Sequence, residues 1–153
     1  MHELRTYFDL AEANGLKPQL ERLFSELARV QMQVNNLCRA AEAAGVRIDL
    51  DDACEGRFDT ISSVMPSIGG RLKDLSEEYL GILDEIEDIG VVLCDVDMGL
   101  VGFRSWFAGQ EIILSWQFGE PMVGHWHCLT ENPDERRSLE LLASARPDSV
   151  SLH

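Results

Sequence analysis

Two carboxylates and two imidazoles stand at alternate positions in short β-rich runs late in this sequence: Asp95 with Asp97, and His125 with His127. Alternate side chains of an extended strand share a face. Each pair therefore points two metal-ligating groups in one direction, while Trp126 and Cys128 face the other way. If the first and last strands lie side by side, the four groups converge on the outer face of a sheet, and Glu120, in the turn before the last strand, joins them. Zinc, manganese or iron suits such a mixture of carboxylate and imidazole. A structural reading needs no metal: both histidines are then half-exposed strand residues hydrogen-bonded to neighbouring carboxylates.

Other chemistry is less well supported by the residues. The run Val91-Val92-Leu93-Cys94-Asp95-Val96-Asp97 mimics the nucleophile strand of haloacid-dehalogenase-type phosphatases, but that chemistry needs an α/β crossover, and Asp97 is followed by Gly99 and another strand. Asp97-Met98-Gly99 lacks the glutamate that completes a calcium loop. No nucleophile elbow, phosphate-binding loop or dinucleotide fingerprint occurs. Cys128 adjoins His127, yet adjacent strand residues point apart, which separates thiol from imidazole. Trp106, Trp116 and Trp126 are expected to fill the space between sheet and helices, and Trp116 and Trp126 are also candidates to line an apolar ligand pocket.

The elements that must position these groups are written in the periodicity. Asp9 and Glu12 have capping-box spacing, predicting a short helix over 10–14. Asn14-Gly15 then offers a closing left-handed residue, and Pro18 suits the first turn of a second helix. Leu16, Leu20, Leu23, Leu27, Val30, Val34, Leu37, Ala41 and Ala44 recur at alternating intervals of four and three, a heptad seam that should stop at Gly45. Helix is thus expected within 9–44. Residues 46–66 lose the period, carry Asp49, Asp51, Asp52, Glu55 and Asp59, and read as an acidic connection. A second long helix over 67–89 repeats the seam with Ile68, Leu72, Leu75, Tyr79, Ile82, Ile86 and Ile89, ending at Gly90. Matching seams joined by a reversing connection predict an antiparallel coiled-coil hairpin within one chain, with a coiled coil between chains as the alternative. Phe24, Met32 and Leu83 lie off the seam and widen the apolar stripe enough to pack a sheet or a second copy.

Beyond Gly90 the texture becomes strand-like over 91–97, 103–107, 111–118 and 123–129, an antiparallel meander of three or four strands. Alternation places Ile112, Leu114, Trp116 and Phe118 on the face toward the helices, with Ile113, Ser115 and Gln117 opposite. Asn132-Pro133 would cap a final short helix through 142, and 144–153 reads as a frayed tail. The expected fold is α+β: a long two-helix hairpin on a small antiparallel sheet, one domain over 1–143.

Composition narrows the partners. The 153 residues carry 27 acidic and 13 basic side chains, for a net charge of -14. That field opposes the phosphate contacts on which nucleic-acid binding rests, and equally opposes anionic membranes. Eleven of the basic residues are arginine and they are scattered, not clustered. Cys38, Cys54, Cys94 and Cys128 show no paired spacing, which argues for reduced thiols. With no signal-like start and no apolar run of spanning length, a cytoplasmic location is expected.

Leu10, Glu12, Ala13, Asn14, Leu16 and Pro18 at one end, with Gly90, Asp95, Asp97, Gly99, Leu100, Val101 and Phe103 and then Trp116, Gly119, Glu120, Trp126 and His127 at the other, resemble the bacterial and archaeal family catalogued as domain of unknown function 2203. The resemblance implies kinship and no activity. It also implies that an aromatic usually stands at position 125 and a proline at 104, so a shared site would rest on Asp97, Glu120 and His127, with His125 and Asp95 second. The leading expectation is a non-enzymatic interaction or ligand-binding module that forms a homodimer or takes a protein partner through the hairpin. The alternative is a metal-dependent hydrolase with its site on the sheet.

Overall fold

The computed structural model describes residues 6–47, 65–133 and 135–139. The acidic connection, apart from its two ends, and the tail fall outside them. Among the described residues two helices, α1 (Leu10–Ala43) and α2 (Pro66–Asp88), precede five strands: β1 (Val92–Asp95), β2 (Leu100–Phe107), β3 (Gln110–Gln117), β4 (His125–Cys128) and β5 (Arg137–Ser138). The chain contacts divide into two compact units, Ser25–Glu85 and the remainder.

The capping box forms as its spacing requires. The Asp9 N–H donates to Glu12 Oε1 at 3.0 Å and the Glu12 N–H donates to Asp9 Oδ1 at 2.7 Å. The expected break at Asn14-Gly15 does not occur, because α1 runs on through Pro18. A proline inside a helix removes one backbone hydrogen bond and costs about 3 kcal/mol. Here the flanking turn is held in other ways: Ala13 and Leu20 are fully buried, the Asn14 amide nitrogen donates back one turn to Leu10 O at 3.2 Å, and its oxygen accepts the distant Val123 N–H at 2.7 Å. At the far end Gly45 takes a φ of +86°. Gly45 N–H then reaches Glu42 O and Val46 N–H reaches Ala41 O, the paired bonds of a Schellman cap.

In the unit Ser25–Glu85 the helices form the expected antiparallel hairpin within one chain. Leu27, Val30, Ala41, Leu72, Leu75 and Ile82 of the two seams are buried. Near the reversal Val34, Leu37, Val46, Met65 and Ile68 close around Leu72. Two polar ties bridge the helices on one side, Arg29 to Glu78 and Arg71 Nη2 to Gln33 Oε1 at 2.9 Å.

In the other unit the sheet is antiparallel throughout, with spatial order β1-β2-β3-β4-β5. Five strands replace the three or four expected, the fifth being two residues long. It stands where a helix from Asn132 was expected: Arg137 and Ser138 pair with Trp126 and His125. One sheet face packs on the first turns of α1 and the residues just before it, with Phe8 edge-on to Phe103 and Phe24 against Trp116 and Phe118. Ile112, Leu114 and Trp116 are buried on that face as predicted. Trp106 is not among them, since it lies three residues from Phe103 and so on the opposite face, against Tyr7.

Candidate functional site

The strand order decides whether the carboxylates meet the imidazoles. β1 and β4 are separated by β2 and β3, three spacings of about 4.8 Å or roughly 14 Å across the sheet. Asp95 therefore does not face the histidines across one strand boundary. Nor does Asp97 share its face. β1 ends at Asp95, whose Oδ1 accepts from Met98 N–H at 3.1 Å and ties the turn that follows. Asp97 sits exposed in that turn. Gly99 closes it at a φ of +68°, where an added Cβ would lie 2.5 Å from Phe118 Cβ.

Glu120 is placed by the turn after β3. Its carboxylate accepts from Gln117 N–H at 2.7 Å, and its carbonyl accepts from Trp116 Nε1 at 3.1 Å. The guanidinium of Arg136, contributed by the segment before β5, meets it two-pronged: Nη1 donates to Oε2 at 3.1 Å and Nη2 to Oε1. Arg136 Nε also donates to Ser115 Oγ at 2.8 Å, and Nη2 approaches His125 Nδ1 at 3.3 Å. Burial pushes the Glu120 carboxyl up, but the hydrogen bonds from Arg136 and Gln117 and the charges of Arg136 and His125 prevail and hold it below the usual carboxylate range. It is an ionised partner of arginine, poorly suited to donate a proton.

His127 is different. It lies beside Ile113 on β3 and is only 5% exposed. Its Nδ1 is 2.9 Å from the carbonyl oxygen of Cys128. A carbonyl can only accept, so Nδ1 carries the proton and Nε2 keeps a lone pair. That Nε2 is buried without a hydrogen-bond partner. Among the described residues no group of three or more His, Cys, Asp or Glu is arranged to hold a metal, so Asp97, Glu120 and His127 are not gathered into such a set. The physical reasons are the two intervening strands and the commitment of Glu120 to Arg136.

The remaining candidates also separate. Trp116 is fully buried against Phe24 and Phe118, whereas Trp126 is half-buried beneath the Arg137 guanidinium, 5.0 Å from its ring centre. Cys38, Cys94 and Cys128 are free thiols. Burial, with Asp95 beside it, pushes Cys94 up. Burial and then Glu131 do the same to Cys128, against the opposing pull of Arg137. None is thus disposed toward a thiolate nucleophile. Arg136, which organises the outer face, was missed because Asn132-Pro133 reads as a helix cap. Its only sequence signal is a basic pair after an acidic run.

A family model described as an uncharacterized conserved protein, DUF2203, matches residues 6–139. The chain belongs to the DUF2203 family. Every residue on which the resemblance rests lies inside the matched span. No curated protein and no solved structure matches the chain. No helix among the described residues of this DUF2203 chain is long and apolar enough to cross a membrane.

Proposed function

We propose that this DUF2203 protein is a non-enzymatic interaction or ligand-binding module that self-associates through its helical hairpin. One observation carries the reading. On the hairpin unit, where the two seams bury each other, Met32 remains 63% exposed and Leu80 57% exposed. Covering either side chain is worth about 1.5–3 kcal/mol, and the hairpin's own helices leave both uncovered. Phe24 is the contrasting case, because the sheet covers it. Size-exclusion chromatography with light scattering on the full chain tests this. A dimer is expected at about 100 µM, where even a Kd of about 10 µM populates it. A strict monomer at that concentration overturns the reading.

A second reading, a metal-dependent hydrolase, is favoured by the buried Nε2 of His127 alone. Asp97, Glu120 and His127 would be its ligands and zinc, manganese or iron the ion, which would supply an activated water. The turn holding Asp97 and the Arg136–Glu120 pair would both have to rearrange. Elemental analysis of protein purified without chelator or affinity tag decides between them. Stoichiometric metal supports this reading, and its absence, with no change in Tm on adding zinc or manganese, removes it.

A further inference from the structure

Strand register sets Arg104, Ile113 and His127 directly opposite one another on β2, β3 and β4. Their side chains therefore form one row across the sheet face opposite to α1. Both ends of the row hold unspent bonding capacity. Arg104 is half-buried, yet its guanidinium makes no hydrogen bond or ion pair among the described residues, whereas Arg136 and Arg137 at the far edge of the sheet each hold a glutamate. Carboxylates are plentiful in a chain with 27 acidic and 13 basic side chains, so an arginine left without one suits an anion from outside. At the other end Nε2 of His127 keeps its lone pair, buried and without a donor. Glu111 is the diagonal neighbour of His127 on the same face, roughly 7 Å away by sheet geometry. Tyr7 Oη donates to its Oε1 at 2.9 Å, and the Tyr7 ring lies 5.4 Å from that of Trp106.

We infer that this row binds a small zwitterion, an α-amino acid, with Arg104 taking the carboxylate, His127 Nε2 and the Glu111 carboxylate taking the ammonium, and Ile113 beneath the carbon skeleton. The inference rests on the ligand-binding half of the reading above and is independent of self-association. A simple anion would satisfy Arg104 and leave Nε2 without a donor beside Glu111. A simple cation would face Arg104. Only a ligand carrying both groups satisfies both ends. The length also fits. Arg104 and His127 stand two strand spacings apart, roughly 10 Å, and two hydrogen bonds of about 2.9 Å with an amino acid between them, about 3 Å from nitrogen to carboxylate oxygen, cover that distance. Nε2 is covered, so a neighbouring side chain must move for entry, and Arg104 is the one held by no bond.

Thermal melts of the full chain, with EDTA present to exclude a metal route, test this against each of the twenty common amino acids at about 10 mM, where a ligand that binds only the folded chain raises Tm. At least one should do so. For that amino acid, calorimetric titration should show Arg104→Gln and His127→Phe each weakening binding at least about tenfold. Arg47→Gln, which removes an exposed arginine from the hairpin unit, should stay within about twofold. Circular dichroism confirms that each variant is folded. The primary amide and the N-acetyl derivative of the same amino acid each lack one charge, and both should fail on the unaltered chain, so the decision does not depend on the variants alone. No rise in Tm with any amino acid overturns the inference, as does binding that survives Arg104→Gln, that the amide retains, or that is equally lost with Arg47→Gln. A chain that binds an amino acid and stays monomeric keeps this inference and loses self-association, and a dimer that binds none does the opposite.

Discussion

Arg136 reaches back across the edge of the sheet to clasp Glu120, so the segment leading into β5 is tied to the turn that leads into β4. The same guanidinium donates to Ser115 Oγ, a side chain only 1% exposed. One residue thereby satisfies a carboxylate and a buried hydroxyl on two different elements. Arg136→Lys keeps the charge and loses the fork, and is expected to cost about 1–2 kcal/mol in urea unfolding. Arg136→Ala should cost more, because Ser115 and Glu120 both lose a donor. Equal stability of the lysine variant and the parent would show that the two-pronged geometry contributes nothing.

The depressed titration of Glu120 sets the sign of a pH effect. Its folded carboxyl releases its proton at lower pH than the unfolded one, so its contribution is fully present above the ordinary carboxylate range. It is lost as pH falls through the depressed folded value. Glu120→Gln should therefore lower the urea midpoint at neutral pH, and the gap to the parent should narrow as the pH is brought down through the carboxylate range to acid. A gap of the same size at neutral and acid pH would assign the effect to packing instead of charge.

The β2–β3 connection is a two-residue turn in which Ala108 takes a φ of +52° and Gly109 a φ of +79°. Both signs are those of the hairpin turn that matches strand twist, but alanine is strained there. Ala108→Asn supplies a residue that tolerates the conformation without glycine's entropy, and should stabilise by about 0.5 kcal/mol in thermal melts. Ala108→Val should do the reverse.

His127 offers a test of whether its imidazole serves stability. A buried acceptor without a partner costs about 1–3 kcal/mol, offset by the bond from Nδ1 to the Cys128 carbonyl. His127→Phe should consequently change stability by no more than about 1 kcal/mol in either direction in denaturant titrations. A loss beyond about 3 kcal/mol would show that Nε2 is satisfied in solution.

Local signals were legible in the sequence and long-range ones were not. Asp9 with Glu12, Gly45, the buried middle of the two seams and the burial of Ile112, Leu114 and Trp116 depend on residues a few positions apart, and these formed as read, whereas Ala44, read as the last seam residue, lies beyond the helix and is exposed. Pro18 misled because what carries α1 through it, the bond from Val123 to Asn14, spans more than a hundred residues. The candidate site failed to assemble for a related reason. Alternation along a strand fixes which side chains share a face, but the two strands between Asp95 and the histidines are a property of sheet order. Arg136 was invisible because its partners are chosen by the turn after β3.

That sheet order has a kinetic consequence. Every strand pairs with its neighbour in sequence, so no pairing waits for a distant part of the chain to arrive, and loop-closure entropy stays small at each step. The shortest closure, through Ala108 and Gly109, joins the two longest strands, paired over all eight residues of each. The sheet can thus zip outward from that hairpin, β1 and β4 adding to its two sides, which makes the β2–β3 tip the natural nucleus of folding.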